Sequence, residues 1–208
     1  PTSEGNFLLM LNEITGIDLD GEPEPVVKNP VKDKLKWYGT TVPWMSVGYE
    51  LQLTPLQVLT FYNGIANGGK IMKPYLLAAL LENDIEISRT EPKVLRDSIL
   101  SSNTLMQLHA LLKSVVEKGT ASSIKSEQYS ISGKTGTAVT NYHKAEADKK
   151  EFQASFCGYF PSEDPIYSCI VVMYNPEIGF YGAQSAAPVF RKIADRCMRP
   201  KLLAGQYL

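Results

Sequence analysis

The chain has almost nothing with which to hold a metal. Its only histidines are His109 and His143, and its only cysteines are Cys157, Cys169 and Cys197. They have no metal-ligand spacing, so no metal or other cofactor is implied. An odd number of cysteines also argues against a disulfide framework. Cys157 and Cys169 flank a hairpin centred near Glu163, and two small buried thiols are expected there rather than a bridge. Excess charge is lacking too. A formal net charge of −1 gives no case for nucleic acid or for an anionic membrane surface as partner. No apolar run approaches ~20 residues, so no membrane-spanning helix is expected. The sequence opens on Pro1, without an initiator Met or a signal peptide, which is the pattern of a fragment or a processed piece. What is present is 208 residues with 44% hydrophobic content, enough for one sizeable core with an appendage.

The stretch that organises the rest is Ser132-Gly133-Lys134-Thr135-Gly136-Thr137-Ala138. It follows Tyr129-Ser130-Ile131, and a second alternating apolar run begins at Phe152. It reads as an edge strand of a sheet. Alternation puts Thr135 and Thr137 on one face and Lys134 on the other. Gly136 has no Cβ, so another backbone or a substrate can come close. A strand edge leaves N–H and C=O groups free to pair with an extended peptide. Hydroxyls, an ammonium and free main-chain donors on one edge suit a ligand with a carboxylate and a peptide bond. Two plainer readings compete. A phosphate-binding loop needs a glycine five positions before Gly133, where Gln128 stands. A surface strand without chemistry is the default unless the flanking sequence supports the motif.

Phe7 to Ile14 has helical apolar spacing and ends at Thr15-Gly16, predicting a short helix. Thr15 to Glu22 reads as a turn, a short strand and another turn. Pro23 to Val42 is rich in Pro, Lys and Asp and reads as a long surface connection, tacked down by Trp37 and Tyr38. Thr54 is a good N-cap and Pro55 fits the first helical position. Leu56, Leu59, Tyr62, Asn63 and Ala66 then form a stripe on one helical face, and Asn67-Gly68-Gly69 ends the helix. Tyr75 to Leu81 predicts a strand, and Ile85 to Leu95 a polar hairpin-like excursion. Ser102 to Lys118 predicts an amphipathic helix with Leu105, Leu108, Leu111, Leu112, Val115 and Val116 as its stripe, stopped by Gly119-Thr120. Thr140 to Glu151 is a polar loop, and its His143 reads as a solvated histidine. Phe152 to Phe160 and Ile166 to Tyr174 predict a hairpin around Pro161 to Pro165. Gly179 to Gly182 is a loop, and Ala186 opens a last helix with Ile193, Ala194 and Cys197.

Several of these segments resemble one family. Lys134-Thr135-Gly136-Thr137 resembles the K-T-G-T motif of penicillin-binding proteins, the serine D,D-transpeptidases that cross-link bacterial peptidoglycan. Thr15 to Glu22 resembles their T-G-I-D-L-x-G-E segment. Ser46 to Gln57, with Ala66-Asn67-Gly68-Gly69 and Lys73-Pro74, is similar to their S-x-G … T-P-L-Q … A-N-G-G … K-P signature. Phe156 to Pro161 and Ala186 to Phe190 resemble their closing strand and A-A-P-V-F helix, with Ala183 where a second glycine is usual. The resemblance runs from about Ile14 to Met198. Met45 to Tyr49 looks more like the septal, cell-division branch of class B than the elongation branch.

The resemblance implies an α+β fold, an antiparallel sheet flanked by helices as in penicillin-binding transpeptidases and serine β-lactamases. It implies that residues 1–208 form a C-terminal portion of a transpeptidase domain. Lys134 would serve the proton network around the nucleophile, and Thr135 with Thr137 would bind the terminal carboxylate of a D-Ala-D-Ala stem peptide or a β-lactam. Gly136 would keep the strand open, and the Thr137 N–H would be an oxyanion-hole donor. Partners of the full-length protein would include cell-division membrane proteins, with the domain on the outer face of the cytoplasmic membrane in the bacterial envelope. Ser122-Ser123-Ile124-Lys125 has the S-x-x-K spacing of a nucleophile and its base, and Ser101-Ser102-Asn103 has the S-x-N spacing. Both read as coincidences. Ser122 falls in a loop rather than at a helix start, and the family order would be reversed. The chain is therefore expected to lack a credible nucleophile and to be inert alone. A bare edge on the Ile166 to Tyr174 strand would favour self-association. Two other classes stay open. One is a non-enzymatic interaction module on the same scaffold; the other is a β-lactam sensor or β-lactamase, which should lack the T-P-L-Q and A-A-P-V-F segments.

Overall fold

The computed structural model describes residues 11–141 and 150–203. The chain divides into two compact units, one of residues Pro1–Gly64 with Gly69–Ile99 and one of Ile65–Gly68 with Leu100–Leu208.

The first unit is built from short pieces. Strand β1 (Val26–Val27) and helix α1 (Thr41–Ser46) precede β2 (Leu51–Gln52), which pairs antiparallel with β1. Helix α2 (Pro55–Ala66) follows, its last two residues grouping with the second unit. Its start is a reciprocal cap. The Gln57 N–H donates to Thr54 Oγ1 at 3.1 Å, and the Thr54 N–H donates to Gln57 Oε1 at 2.9 Å. Strand β3 (Ile71–Met72) pairs with β6 (Val94–Arg96), and β4 (Ala79–Glu82) with β5 (Ile85–Arg89). The β4–β5 turn holds Asn83 and Asp84 at φ 51° and 63°. Positive φ at both positions matches the right-handed twist of the strands they join.

What fastens this unit is largely polar. The Glu22 carboxylate accepts from the Thr15 N–H at 2.8 Å, the Thr15 hydroxyl at 2.9 Å and the Gly16 N–H at 3.0 Å. The buried Gln57 donates to it from the other side at 3.4 Å and to the Pro23 carbonyl at 3.1 Å. The Asp18 carboxylate takes the N–H groups of Leu76 and Leu77 at 2.7 and 3.0 Å. So Thr15 to Glu22 contains no strand. Its acids bind N–H groups that a strand would otherwise have paired.

Other expectations shift here. The predicted helix at Phe7 to Ile14 falls partly outside the described residues, and Leu11 and Asn12 lie in a turn. The residues buried on α2 are Gln57, Thr60, Gly64 and Ile65, with Leu56, Leu59 and Tyr62 half-buried. The Tyr75 to Leu81 run becomes strand only from Ala79, and Leu76 and Leu77 are exposed. Trp37 is half-buried beside a cavity of about 280 Å³ that Val27, Met45, Leu51 and Leu53 also line. The Tyr38 ring is exposed, and it is the Tyr38 main chain that is held, its N–H donating to Oγ1 of the buried Thr41 at 3.0 Å.

The second unit has long elements and an apolar core. Helix α3 (Ser102–Glu117) is capped by Ser101, whose hydroxyl accepts from the Thr104 N–H at 3.2 Å. Strands β7 (Ser132–Val139), β8 (Phe152–Phe160) and β9 (Tyr167–Tyr174) form an antiparallel sheet in that order, and helix α4 (Ala186–Leu203) closes the unit. Phe156, Phe160 and Phe190 are buried, with ring centroids 4.7 Å apart for Phe156–Phe190 and 5.6 Å for Phe160–Phe190. Each contributes about 1.5–3 kcal/mol by leaving water. Ile131, Val116, Ala194 and Met198 complete the core. Leu111 and Ile193, expected inside, are exposed. The register pairs Cys157 with Ile170 and Gly158 with Cys169. The two thiols therefore sit on opposite faces of the sheet and are free.

Candidate active site

The core fixes the edge strand. β7 pairs with β8 along its whole length, with Lys134 opposite Cys157, Thr135 opposite Phe156 and Thr137 opposite Ala154. Phe156 and Ala154 are buried, so Thr135 and Thr137 share one face of the sheet and Lys134 the other, as alternation predicts. Among the described residues the second edge of β7 has no strand partner.

Side chains arm that edge. Lys134 Nζ donates to the Thr135 carbonyl at 2.9 Å and lies 3.4 Å from Thr135 Oγ1. The Thr135 main chain therefore faces the open edge, and alternation along the ladder sends the Thr137 main chain the same way. The Thr135 hydroxyl is also 3.2 Å from the Thr120 hydroxyl. The Thr137 hydroxyl accepts from the Gly182 N–H at 3.1 Å. That bond ties the loop before α4 to the edge strand.

Two glycines are required by space. A Cβ on Gly182 would lie 2.3 Å from the Ser155 carbonyl and 2.6 Å from that of Gly136. The loop can reach β7 only because it brings no side chain. A Cβ on Gly136 would lie 2.4 Å from Ser155 Oγ. Its openness therefore serves the cross-strand serine first.

The N-terminal half of β7 is anchored by a polar chain. Ser132 Oγ donates to Ser162 Oγ at 2.8 Å, and the Ser162 N–H donates to Ser130 Oγ at 2.9 Å. Ser130 in turn donates to Glu163, which also pairs with Lys113. Burial lifts the Glu163 acid, but these two donors outweigh it and hold the group below the usual carboxylate range. Beside them Tyr159 OH meets His109 Nδ1 at 2.6 Å. Burial pushes Tyr159 up to about 12 and pulls His109 down. Burial thus favours the neutral form of His109, and none of these hydrogen bonds reaches Lys134.

The S-x-x-K look-alike separates. Ser122 opens a 3-10 turn, and Lys125 Nζ pairs with Glu117 at 2.6 Å rather than with Ser122. Ser101 serves as the α3 cap. His143 lies outside the described residues. The sequence had singled out Lys134, Thr135, Gly136 and Thr137, and the fold brings them together on one edge. It missed Thr120 and Gly182, which reach β7 from distant segments. For Gly182 the only available sign was a glycine after Phe180-Tyr181; for Thr120 there was none.

The penicillin binding protein transpeptidase domain model matches residues 10–195. A peptidoglycan D,D-transpeptidase FtsI homolog of Mesostigma viride is 30% identical over 169 residues, covering 75% of this chain and 28% of the relative. Penicillin-binding protein H of Bacillus subtilis is 32% identical over 168 residues, covering 76% of this chain and 23% of the relative. The chain thus spans less than a third of either relative. Among solved structures, penicillin binding protein 3 of Mycobacterium tuberculosis in complex with ampicillin superposes with a TM-score of 0.79 at 26% identity, covering 95% of this chain and 45% of that one. With its helices and antiparallel sheets, its K-T-G-T edge strand and a family match over nearly all its length, this chain belongs to the penicillin-binding protein transpeptidase domain family.

Proposed function

We propose that this chain forms the K-T-G side of a serine D,D-transpeptidase site that cross-links peptidoglycan stem peptides and is acylated by β-lactams. The observation that carries the reading is the open β7 edge, where Lys134, the Thr135 hydroxyl and main chain with no strand partner among the described residues converge. An extended D-Ala-D-Ala terminus adds to that edge as a further strand. Its carboxylate meets the Thr135 hydroxyl and the positive potential of Lys134. The Thr137 hydroxyl, held by Gly182, acts mainly as a tether, while the Thr137 N–H stabilises the oxyanion. Such a donor contributes about 3–4 kcal/mol to the transition state.

A serine hydroxyl attacks the carbonyl carbon of the penultimate D-alanine. The amide C–N bond breaks and D-alanine leaves with the proton. An amine of a neighbouring stem then attacks the ester and regenerates the serine. Ser122 does not fit this role, because Lys125, the lysine at the S-x-x-K spacing, is engaged by Glu117. The nucleophile is therefore assigned to a part of the protein outside the described residues, and this chain to the C-terminal portion of the domain. We place the whole protein in the bacterial envelope and propose for it a membrane anchor and cell-division membrane proteins as partners.

The test is acylation of the full-length protein by a fluorescent penicillin. Lys134→Ala should reduce labelling by at least about 100-fold while the melting temperature stays unchanged, since Lys134 is exposed. Normal labelling of that variant overturns the assignment.

A further inference from the structure

We infer that Thr120 is a positioning residue for carboxylate recognition at the β7 edge, acting through Thr135. The inference rests on the transpeptidase reading above and adds a residue to it.

Thr120 lies just past α3, and its hydroxyl is 3.2 Å from that of Thr135. A closed turn delivers it there. The Lys118 N–H returns to the Ser114 carbonyl at 3.0 Å, the Ala121 N–H to that of Val115 at 3.0 Å, and the Ser122 N–H to that of Gly119 at 3.2 Å. A Cβ on Gly119 would lie 2.8 Å from Val115 Cα and O, so the chain turns this tightly only with glycine. Ala121 beyond it is fully buried. Thr120 itself is exposed, so its hydroxyl has no packing reason to face β7.

Counting protons gives the contact a direction. A hydroxyl has one proton to donate and can accept at two lone pairs. The Lys134 ammonium, 3.4 Å from Thr135 Oγ1, can only donate. A substrate carboxylate can only accept. Thr135 must therefore give its single proton to the carboxylate. Its contact with Thr120 then runs the other way, with Thr120 donating to Thr135 Oγ1. Dipoles aligned from Thr120 through Thr135 to the carboxylate strengthen one another. Reversed, the Thr135 proton would point at Thr120 and its lone pairs would face the carboxylate.

The experiment is penicillin acylation kinetics on the full-length protein, separating the half-saturating concentration from the maximal rate. Thr120→Val should raise the half-saturating concentration about 3–10-fold and leave the maximal rate unchanged. Thr120→Ser, which keeps the hydroxyl, should restore it. With the methyl ester of the same penicillin, Thr120→Val and the unsubstituted protein should agree within about twofold, because the charged acceptor is gone. Should Thr120→Val not fold, Thr120→Ala reads the same loss. Equal half-saturation on the free acid overturns the inference alone, as does an equal loss on acid and ester, the mark of a packing role. If the unsubstituted protein is not acylated at all, the transpeptidase reading falls and the inference falls with it.

Discussion

In the second unit Phe156, Phe160 and Phe190 meet at the centre, and the sheet and α4 are arranged around them. In the first unit the buried groups include Thr15, Thr41, Gln57 and Thr60, and a carboxylate holds the chain where side-chain volume would otherwise do so. The apolar core is non-directional and scales with area. The polar pin is directional, and it fails when one partner is removed or titrated. The K-T-G-T edge strand belongs to the first kind of scaffold: β7 pairs along its length with β8, whose last five residues are buried.

Breaking the apolar side should have the larger effect. Phe190→Ala removes a fully buried ring and should destabilise the second unit by about 3–5 kcal/mol. Amide exchange across β8 reads this. A loss under about 1 kcal/mol would mean that the core is not centred on this ring.

The polar side is probed at Glu22. Glu22→Ala leaves the Thr15 and Gly16 donors without their acceptor and should cost about 1–3 kcal/mol. Tryptophan fluorescence suits the measurement, because Trp37 and Trp44 both lie in the first unit. Burial lifts the Glu22 acid, but the bonds from Thr15, Gly16 and Gln57 outweigh it and depress the group below its ordinary 4.5. Its contribution is therefore present above pH 4.5 and is lost as pH falls through the folded-state value. Stability of the unsubstituted protein should fall on acidification across that window, and the difference from Glu22→Ala should shrink there. A difference that stays constant even where acid has protonated Glu22 in the folded protein would break the polar half of the comparison.

The smallest effect is expected where neither device operates. Leu35 is 93% exposed in the 3-10 turn Lys34–Lys36. Leu35→Ser should change stability by less than about 0.5 kcal/mol in urea titration. A larger loss would reveal packing that its exposure does not show.

How much of this was legible in the sequence follows the same division. α3, α4 and the hairpin strands β8 and β9 announce themselves, because their apolar residues recur at helical spacing or crowd into runs bounded by turn residues. The short elements do not. Asp18 and Glu22 looked like turn residues, and nothing in their spacing said that one would take the N–H groups of Leu76 and Leu77 and the other a hydrogen bond from Gln57. The stripe predicted on α2 pointed to Leu56 and Leu59, while the buried face carries Gln57 and Thr60. A buried glutamine with every bond made reads as polar in any pattern.

The sequence by itself determined the hairpin that follows the K-T-G-T strand, the N-cap of α2, the end of α3, and the faces on which Lys134 and Thr135 lie. These are local properties, set by periodicity and by which residues can close a helix end. Only the tertiary structure decided that Gly182 would hold Thr137, that Thr120 would stand beside Thr135, and that Lys125 would pair with Glu117 instead of Ser122. Each of these contacts joins segments whose approach depends on packing between them, and sequence spacing carries no measure of that distance.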